Sequence, residues 1–109
     1  MPSTLRDRVI AVCLAKPGAR EDYPFGDDVA VFKLAGRMFA LLRMDVTPEW
    51  LNLKCEPHLA VALREQYDAI KPGYHANKRH WNTVVLDGSV PENELLDMID
   101  DSYRLVSAA

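Results

Sequence analysis

The stretch VAVFKLAGRMFALLRM, residues 29–44, decides the fold. Val29 to Leu34 is rich in strand-forming residues, Met38 to Met44 is a second apolar run, and Ala35-Gly36-Arg37 separates the two. Two such runs joined by a short segment that contains glycine predict a β-hairpin. We therefore expect an antiparallel sheet to begin here.

More strand-like segments follow the hairpin. In WLNLKC, residues 50–55, Trp50, Asn52 and Lys54 alternate with apolar residues, which predicts a third strand with one face in solvent. Thr83 to Leu86 is also strand-like, whereas residues 77–80 are compatible with one helical turn. The sequence Lys71-Pro72-Gly73-Tyr74 predicts a type II turn, with glycine where a positive φ is needed.

Three helices are predicted around these strands. The first begins at an N-cap, Ser3, and ends near Lys16, the second begins at Pro57, and the third begins at Pro91. A polar loop, residues 19–28, follows the first helix, and its Tyr23 and Phe25 are expected to pin it to the domain. The predicted apolar faces are Leu5, Val9, Val12 and Cys13, widened by Ile10 and Leu14; Leu59, Ala62, Leu63, Gln66 and Tyr67; and Leu95, Ile99, Ser102, Tyr103 and Val106.

The predicted order is helix, three strands, helix, one or two strands, helix. Without regular alternation of strand and helix, this order favours an α+β fold in which the N- and C-terminal helices pack on one face of a single antiparallel sheet. The length of 109 residues and the 49% apolar content suit one globular domain that spans residues 1–109.

Several classes of protein are not expected. The apolar run Val9 to Ala15 is far shorter than the roughly 20 residues of a membrane span, so neither export nor membrane insertion is predicted. Cys13 and Cys55 lie among apolar neighbours, which suits reduced, inert thiols in the cytoplasm. The sequence holds no nucleophile elbow, P-loop or dinucleotide fingerprint, so nothing indicates an enzyme. The oligomeric state stays open, and a monomer is compatible with the sequence.

The charge is distributed unevenly along the chain. The formal net charge is −3, but residues 29–86 hold eight cations and five anions, whereas residues 87–109 hold one cation and six anions. The acidity is thus concentrated in the last predicted helix, and the middle of the chain is mildly basic. A polyanion partner is therefore compatible with the overall negative charge.

The segment KPGYHANKRHW, residues 71–81, is the most unusual in the sequence, because it combines cations, histidines and aromatics without a carboxylate. Such donors suit phosphate groups, and aromatic rings can stack on bases. In the structural alternative, Tyr74 and Trp81 belong to the core, and Lys78 and Arg79 neutralise the acidic last helix. His75 and His80 lie five residues apart with no third ligand adjacent, so no metal or cofactor is predicted.

The chain resembles the MmcQ/YjbR family of small bacterial proteins. The segment from Pro72 to Thr83 matches the family pattern at Pro72, Gly73, His75, Asn77, Lys78, His80, Trp81, Asn82 and Thr83, and Ala76 departs from it where methionine is common. Further matches are the sequence Tyr23-Pro24-Phe25-Gly26, the hairpin residues 31–34 and 36–40, and Ser102, Tyr103, Leu105 and Val106. The resemblance implies a CyaY-like (frataxin-like) fold and DNA binding through a double-wing arrangement, with no agreed catalytic residues.

Three hypotheses follow. In the first, the chain binds DNA weakly and without sequence specificity, through a basic hairpin and a basic loop. The residues assigned to nucleic-acid or anion binding are Lys33, Arg37, Lys54, Lys71, His75, Asn77, Lys78, Arg79, His80 and Asn82, with Tyr74 and Trp81 for stacking. In the second, His75, Asn77, His80 and Lys54 converge on a pocket for a small ligand or anion. In the third, the acidic last helix forms a frataxin-like surface for a metal or a protein partner.

Overall fold

The computed structural model describes residues 4–108. Its elements are α1 (Leu5–Ala15), β1 (Ala19–Asp22), β2 (Val29–Leu34), β3 (Arg37–Arg43), β4 (Trp50–Lys54), α2 (Pro57–Gln66), β5 (Ile70–Pro72), β6 (Trp81–Val85) and α3 (Glu92–Ser107). The strands form one sheet in the order β1-β2-β3-β4-β6-β5, and all neighbouring strands are antiparallel. The predicted α+β class with a single antiparallel sheet is confirmed.

The three helices cover one face of the sheet, called here the helix face, and the other is called the open face. Leu42, Leu51 and Val84 lie side by side on β3, β4 and β6 and are fully buried under the helices. Val9 and Cys13 of α1 belong to the same apolar core. Successive side chains of a strand point to opposite faces, so the neighbouring Leu41, Asn52 and Thr83 lie on the open face.

The hairpin between β2 and β3 closes through a two-residue turn, Ala35-Gly36. Both residues have positive φ, 51° and 80°. Positive φ at both positions is the conformation that matches the right-handed twist of the two strands. The hairpin prediction is confirmed, with the difference that Arg37 belongs to β3 rather than to the turn.

A β-bulge interrupts this hairpin at Phe39. Phe32 pairs with Ala40 and Lys33 pairs with Met38, so Phe39 is an extra residue on β3. The bulge turns the Phe39 ring toward the helix face, where it is fully buried and meets Tyr103 of α3 edge-on, with ring centroids 5.4 Å apart. It thereby adds a large side chain to the core at the point where α3 crosses the sheet.

The segment predicted as a polar loop after α1 is in part a strand. Ala19–Asp22 forms β1 and pairs with β2, although three of its four residues are exposed. An edge strand needs backbone hydrogen bonds to only one neighbour, and polar side chains on an edge hinder unwanted pairing with another chain. The expectation that Tyr23 and Phe25 pin this segment was wrong, because their side chains are 40% and 70% exposed.

The helix predictions need three corrections. The N-cap of α1 is Thr4, whose hydroxyl accepts a hydrogen bond from the Asp7 amide at 3.1 Å, and the predicted cap, Ser3, lies outside the described residues. Leu14 is 42% exposed rather than part of the buried face of α1. The third correction concerns α2.

In α2 the buried residues are Ala60 and Leu63, whereas Leu59, Ala62 and Gln66 of the predicted face are exposed. The small Ala60 side chain lets the α2 backbone approach β6 closely enough for the Ala60 carbonyl to accept a hydrogen bond from Asn82 Nδ2 at 3.3 Å. The buried face of α2 therefore runs through Ala60 and Leu63, and of the helix residues predicted to be buried only Leu63 lies on it.

The prediction for α3 is confirmed. Leu95, Ile99, Ser102 and Val106 are buried along one face, together with Met98. With 16 residues, α3 is the longest of the three described helices. Across residues 4–108, no helix has the length and apolar character required to cross a lipid bilayer.

Candidate nucleic-acid interface

Three segments meet at one end of the sheet, called here the loop end. They are the β2–β3 turn (residues 35–36), the end of β4 at Lys54, and the β5–β6 loop (residues 73–80). The strand register brings them together, since Leu53 pairs with Ala40 and Lys54 pairs with Trp81. Three strand spacings of about 4.8 Å separate the midpoint of the turn from that of the loop, a distance of about 14 Å.

The loop does not begin with the predicted type II turn. Lys71 and Pro72 belong to β5, and the Gly73 amide continues the ladder by donating to the Trp81 carbonyl at 2.9 Å. The prediction failed because the signal of proline followed by glycine also fits a strand end at which two backbones approach closely. The residue with positive φ in this loop is His75, at 53°.

The first part of the loop folds back over the open face. Asn52 and Thr83 pair across β4 and β6, and the Thr83 hydroxyl donates to Asn52 Oδ1 at 2.5 Å. Asn52 Nδ2 donates to the Tyr74 carbonyl at 3.0 Å, and the Tyr74 amide donates to Thr83 Oγ1 at 2.9 Å. Asn52 is therefore buried, and the prediction that its side of β4 faces solvent was wrong.

The Arg43 side chain packs against two aromatic rings beside this loop, and these rings also contact each other. Its guanidinium carbon lies 5.5 Å from the centre of the Trp50 ring and 5.3 Å from the centre of the Tyr74 ring. Arg43 also donates two hydrogen bonds to Asp45, at 3.1 and 2.8 Å. These bonds lower the pKa of the Asp45 carboxyl below its ordinary value. The pair fixes the guanidinium plane, and one aromatic face of Tyr74 is engaged by it.

A groove of about 450 Å³ lies on the open face next to this stack. Its lining includes Phe25, Met38, Leu41, Arg43, Tyr74 and His75. Leu41 and Met38 of β3 form an apolar floor, while the side chains of Tyr74 and Phe25 come from loops on either side of β3. The groove thus combines a mostly apolar interior with a few polar groups, as small-molecule sites do.

The structure places most of the predicted cations near the loop end. Arg37 and Arg79 are exposed, and Lys78 Nζ donates to the Gly73 carbonyl at 3.1 Å. Lys33 forms an exposed ion pair with Asp22 at 3.1 Å, and Lys71 donates to the Asp68 carbonyl at 3.1 Å. Hydrogen bonds to carbonyls leave the positive charge of a lysine in place, so both the loop and the hairpin keep their cations.

The other predicted residues are not brought together. Asn82 is fully buried on the helix face, where it donates to Ala60, so it cannot contact a polyanion. Its assignment was wrong because a strand alternates faces and position 82 points to the core. His75 lines the groove, but Asn77 accepts a bond from the Arg79 amide and His80 lies outside the groove lining. Of the predicted pocket residues His75, Asn77, His80 and Lys54, only His75 therefore lines this groove.

In the structural alternative, Tyr74 and Trp81 belong to the core, and Lys78 and Arg79 neutralise the acidic last helix. Tyr74 is 41% exposed, and Trp81 is half-buried on the open face. Carboxylates of α3 pair with other cations: Glu92 with Arg8 at 2.8 Å, Asp100 with Lys16, and Asp101 with Arg104. No group of three or more His, Cys, Asp or Glu side chains within residues 4–108 is placed to hold a metal ion.

Both thiols are expected to be unreactive in the native protein. Burial raises the pKa of Cys13 to about 12 and that of Cys55 to about 11, so almost no thiolate is present at neutral pH. We predict that Ellman's reagent modifies neither cysteine within minutes in buffer and both in guanidinium chloride. Rapid modification of one thiol in buffer would show that its side chain is reachable in the native state.

The sequence of the chain matches a known family model. The model is described as YjbR, and the match covers residues 14–105. The chain belongs to the YjbR family. This YjbR-family chain is 34% identical over 96 residues to the uncharacterised protein YjbR of Escherichia coli (strain K12). The aligned region covers 88% of the chain and 81% of that protein. It is 35% identical over 103 residues to the uncharacterised protein YbdF of Escherichia coli O157:H7, with 94% and 84% covered.

Solved structures of similar proteins share this fold. A crystal structure of a Deinococcus radiodurans protein gives a TM-score of 0.90 at 39% identity and covers 98% of this YjbR-family chain and 81% of the other. A Pseudomonas syringae protein gives a TM-score of 0.81 at 30% identity, with 94% and 99% covered. The sheet with helices on one face is therefore shared with these two proteins.

Sequence reasoning missed four residues of the groove region in this YjbR-family chain: Phe25, Arg43, Trp50 and Asn52. Arg43 ends an apolar run, and Trp50 shares its side of β4 with Asn52 and Lys54. Arg43 of β3 and Trp50 and Asn52 of β4 thus lie on the outward side of two neighbouring strands. Two polar residues and a tryptophan in such positions form a pattern that can be recognised in a sequence. That pattern could have indicated a candidate site on the open face.

Proposed function

We propose that this protein binds nucleic acid weakly and without sequence specificity, through the loop end of the sheet. The observation that supports the proposal is the position of two basic segments. The β2–β3 hairpin, with Lys33 and Arg37, and the β5–β6 loop, with Lys78 and Arg79, lie side by side at one end, separated by the end of β4. Two projections about 14 Å apart can contact phosphates at two places on one strand or across a groove.

The distribution of charge favours this surface over the rest of the molecule. Residues 71–80 contain three cations and no carboxylate, whereas the acidic α3 lies on the helix face, behind the sheet. The Lys33 pair with Asp22 is exposed, and such pairs contribute little to stability, so a phosphate can compete for the lysine. A negative protein with a local basic patch binds polyanions weakly and is displaced readily by salt.

Because the β2–β3 hairpin and the β5–β6 loop both present cations, we expect them to contact the phosphates of a nucleic acid rather than its bases. Contacts to phosphates fix the orientation of the nucleic acid, but they carry no sequence information. Neutralising about three or four phosphates gives a slope of roughly −3 to −4 in a plot of log affinity against log salt for duplex DNA. This slope is the quantity that a binding experiment should measure first.

Replacing both Arg37 and Arg79 with alanine is expected to weaken duplex binding and to reduce the salt slope by about 2, because each arginine neutralises about one phosphate. Fluorescence anisotropy of a labelled 20-base-pair duplex, titrated at several salt concentrations, measures both quantities. The matched control is Arg104→Ala, which removes an exposed cation from α3. No binding by the unmodified protein at low salt, or an equal loss in the control, would contradict the proposal.

A further inference from the structure

The groove on the open face is unusual in exposing aromatic rings on both sides of its floor. Phe25 is 70% exposed and Tyr74 is 41% exposed. The loop with Phe25 connects β1 and β2, and the loop with Tyr74 connects β5 and β6, so the two rings come from opposite sides of β3. Single exposed apolar residues are common, but two that line the same groove indicate a surface for a ligand.

The wall formed by Tyr74 is held in place before any ligand arrives. Asn52 and Thr83 bind the backbone on both sides of the Tyr74 side chain, and the ring packs edge-on against Trp50 with centroids 5.2 Å apart. His75 follows in a left-handed conformation, with its ring centroid 4.1 Å from that of Tyr74. A non-glycine residue in that conformation is costly unless its surroundings enforce it. A ring that enters the groove therefore meets a wall that needs little further ordering.

The groove has a size and a lining that suit a flat heteroaromatic ring. Its volume of about 450 Å³ lies in the range of small-molecule sites, roughly 300–1,000 Å³. Aromatic side chains bind the face of such a ring by stacking, irrespective of its identity. The exposed Phe25 ring is the one that supplies this stacking surface, whereas the Tyr74 ring is packed against Arg43, Trp50 and His75 and forms the opposite wall. Arg43, Asp45 and His75 in the lining can donate or accept hydrogen bonds at the edge of the ring.

The position of His75 connects this groove to the loop end. His75 lines the groove and belongs to the same loop as Lys78 and Arg79. His75 precedes Lys78 by three residues, so their Cα atoms are at most about 11 Å apart, and a strand held by the cations can reach the groove with a base. We propose that the groove accepts one unpaired nucleobase, an inference that rests on the proposed function. In a duplex each base is stacked and paired and has to be flipped out to enter, so single strands are favoured over duplexes.

The test compares two oligonucleotides that differ only in their bases. A labelled 12-mer of thymidine and a 12-mer of abasic residues carry the same phosphates, so cation contacts alone give similar affinities. Fluorescence anisotropy at one low salt concentration is expected to show about 5- to 100-fold tighter binding of the thymidine strand. Phe25→Ala should remove most of this difference and leave the affinity for the abasic strand unchanged.

Tyr23→Ala provides the matched control. Tyr23 is an exposed aromatic residue, 40% accessible, in the same loop as Phe25, but it lies outside the groove lining. Because Phe25 is mostly exposed, its loss should not unfold the protein, which a thermal melt of each variant verifies. Equal binding of both strands by the unmodified protein would overturn the groove proposal and leave the proposed function intact. Binding of neither strand would overturn the proposed function as well.

Discussion

Replacing Ser102 with alanine is expected to lower the free energy of unfolding by about 2–4 kcal/mol. Ser102 is fully buried on α3, and its hydroxyl donates to the Phe39 carbonyl at 2.5 Å and accepts from the Lys54 amide at 2.8 Å. Alanine leaves both backbone groups without this partner in the interior. Each unsatisfied buried group costs about 1–3 kcal/mol.

The bulge explains why the Ser102 side chain has to supply hydrogen bonds where the pairing of β3 with β4 ends. Phe39 is the extra residue on β3, and the regular pairing of β3 with β4 ends at Ala40 and Leu53. The Ser102 hydroxyl bridges the next carbonyl and amide, so it extends the ladder by one step and attaches α3 to both strands. Loss of this bridge is therefore expected to loosen the sheet and the helix together.

Urea unfolding followed by far-ultraviolet circular dichroism measures the effect. The matched control is Ser107→Ala, five residues further along α3, where the hydroxyl donates to the Arg104 carbonyl at an exposed position. Surface substitutions of this kind usually change stability by less than about 0.5 kcal/mol. Equal effects of the two substitutions would show that the buried bridge contributes nothing beyond a surface hydrogen bond.

The strands that the sequence predicted differ from those it missed in how much of their side chains is buried. The segments in β2, β3, β4 and β6 carry apolar residues because at least one of their faces is buried. The edge strands β1 and β5 are short, with four and three residues, and most of their side chains are exposed. Backbone pairing alone makes them strands, and backbone pairing leaves no pattern in the side chains.

Helix prediction succeeded where side chains decide packing. In α3 the apolar stripe is wide and continuous, so the buried face follows from spacing alone. In α2 the helix rests on Ala60, a residue whose small size matters more than its hydrophobicity. No count of apolar residues reveals that the Ala60 carbonyl will accept a hydrogen bond from Asn82.

The candidate interface could be predicted in its composition but not in its shape. Residues 71–80 stand out by their charge, and the hairpin cations follow from the turn. The groove depends on the hydrogen bond between Asn52 and Thr83, which lie 31 positions apart, and on the way that pair holds Tyr74. Contacts between distant segments arise from sheet register, which a single sequence does not disclose.

Gly73→Ala is expected to destabilise the protein by about 3 kcal/mol, the sum of two effects. A Cβ at this position would lie 2.7 Å from the Trp81 Cβ and 2.9 Å from the Trp81 carbonyl oxygen. Neither neighbour is the free end of a side chain, so β5 or β6 has to shift. Overpacking of a tight contact costs about 1–3 kcal/mol. Loss of the Gly73 hydrogen bond to Trp81 adds about 1 kcal/mol.

Gly88 provides a comparison that distinguishes two reasons for a glycine, a close contact with a neighbouring strand and a turn that requires positive φ. Its φ is +86°, and a Cβ added there would meet no atom of the described residues within 4 Å beyond its chain neighbours. Gly88→Ala should therefore cost only the backbone strain of about 1–2 kcal/mol. Asparagine tolerates left-handed φ better than alanine does, so Gly88→Asn should be milder than Gly88→Ala.

At position 73 the order of the two substitutions should reverse, because the larger asparagine side chain worsens the collision with Trp81. Urea unfolding of Gly73→Ala, Gly73→Asn, Gly88→Ala and Gly88→Asn gives both orders in one experiment. If asparagine were the milder substitution at position 73 as well, a turn rather than close packing would require the glycine. The reversed order instead identifies Gly73 as the residue whose missing side chain lets β5 and the β5–β6 loop lie against Trp81.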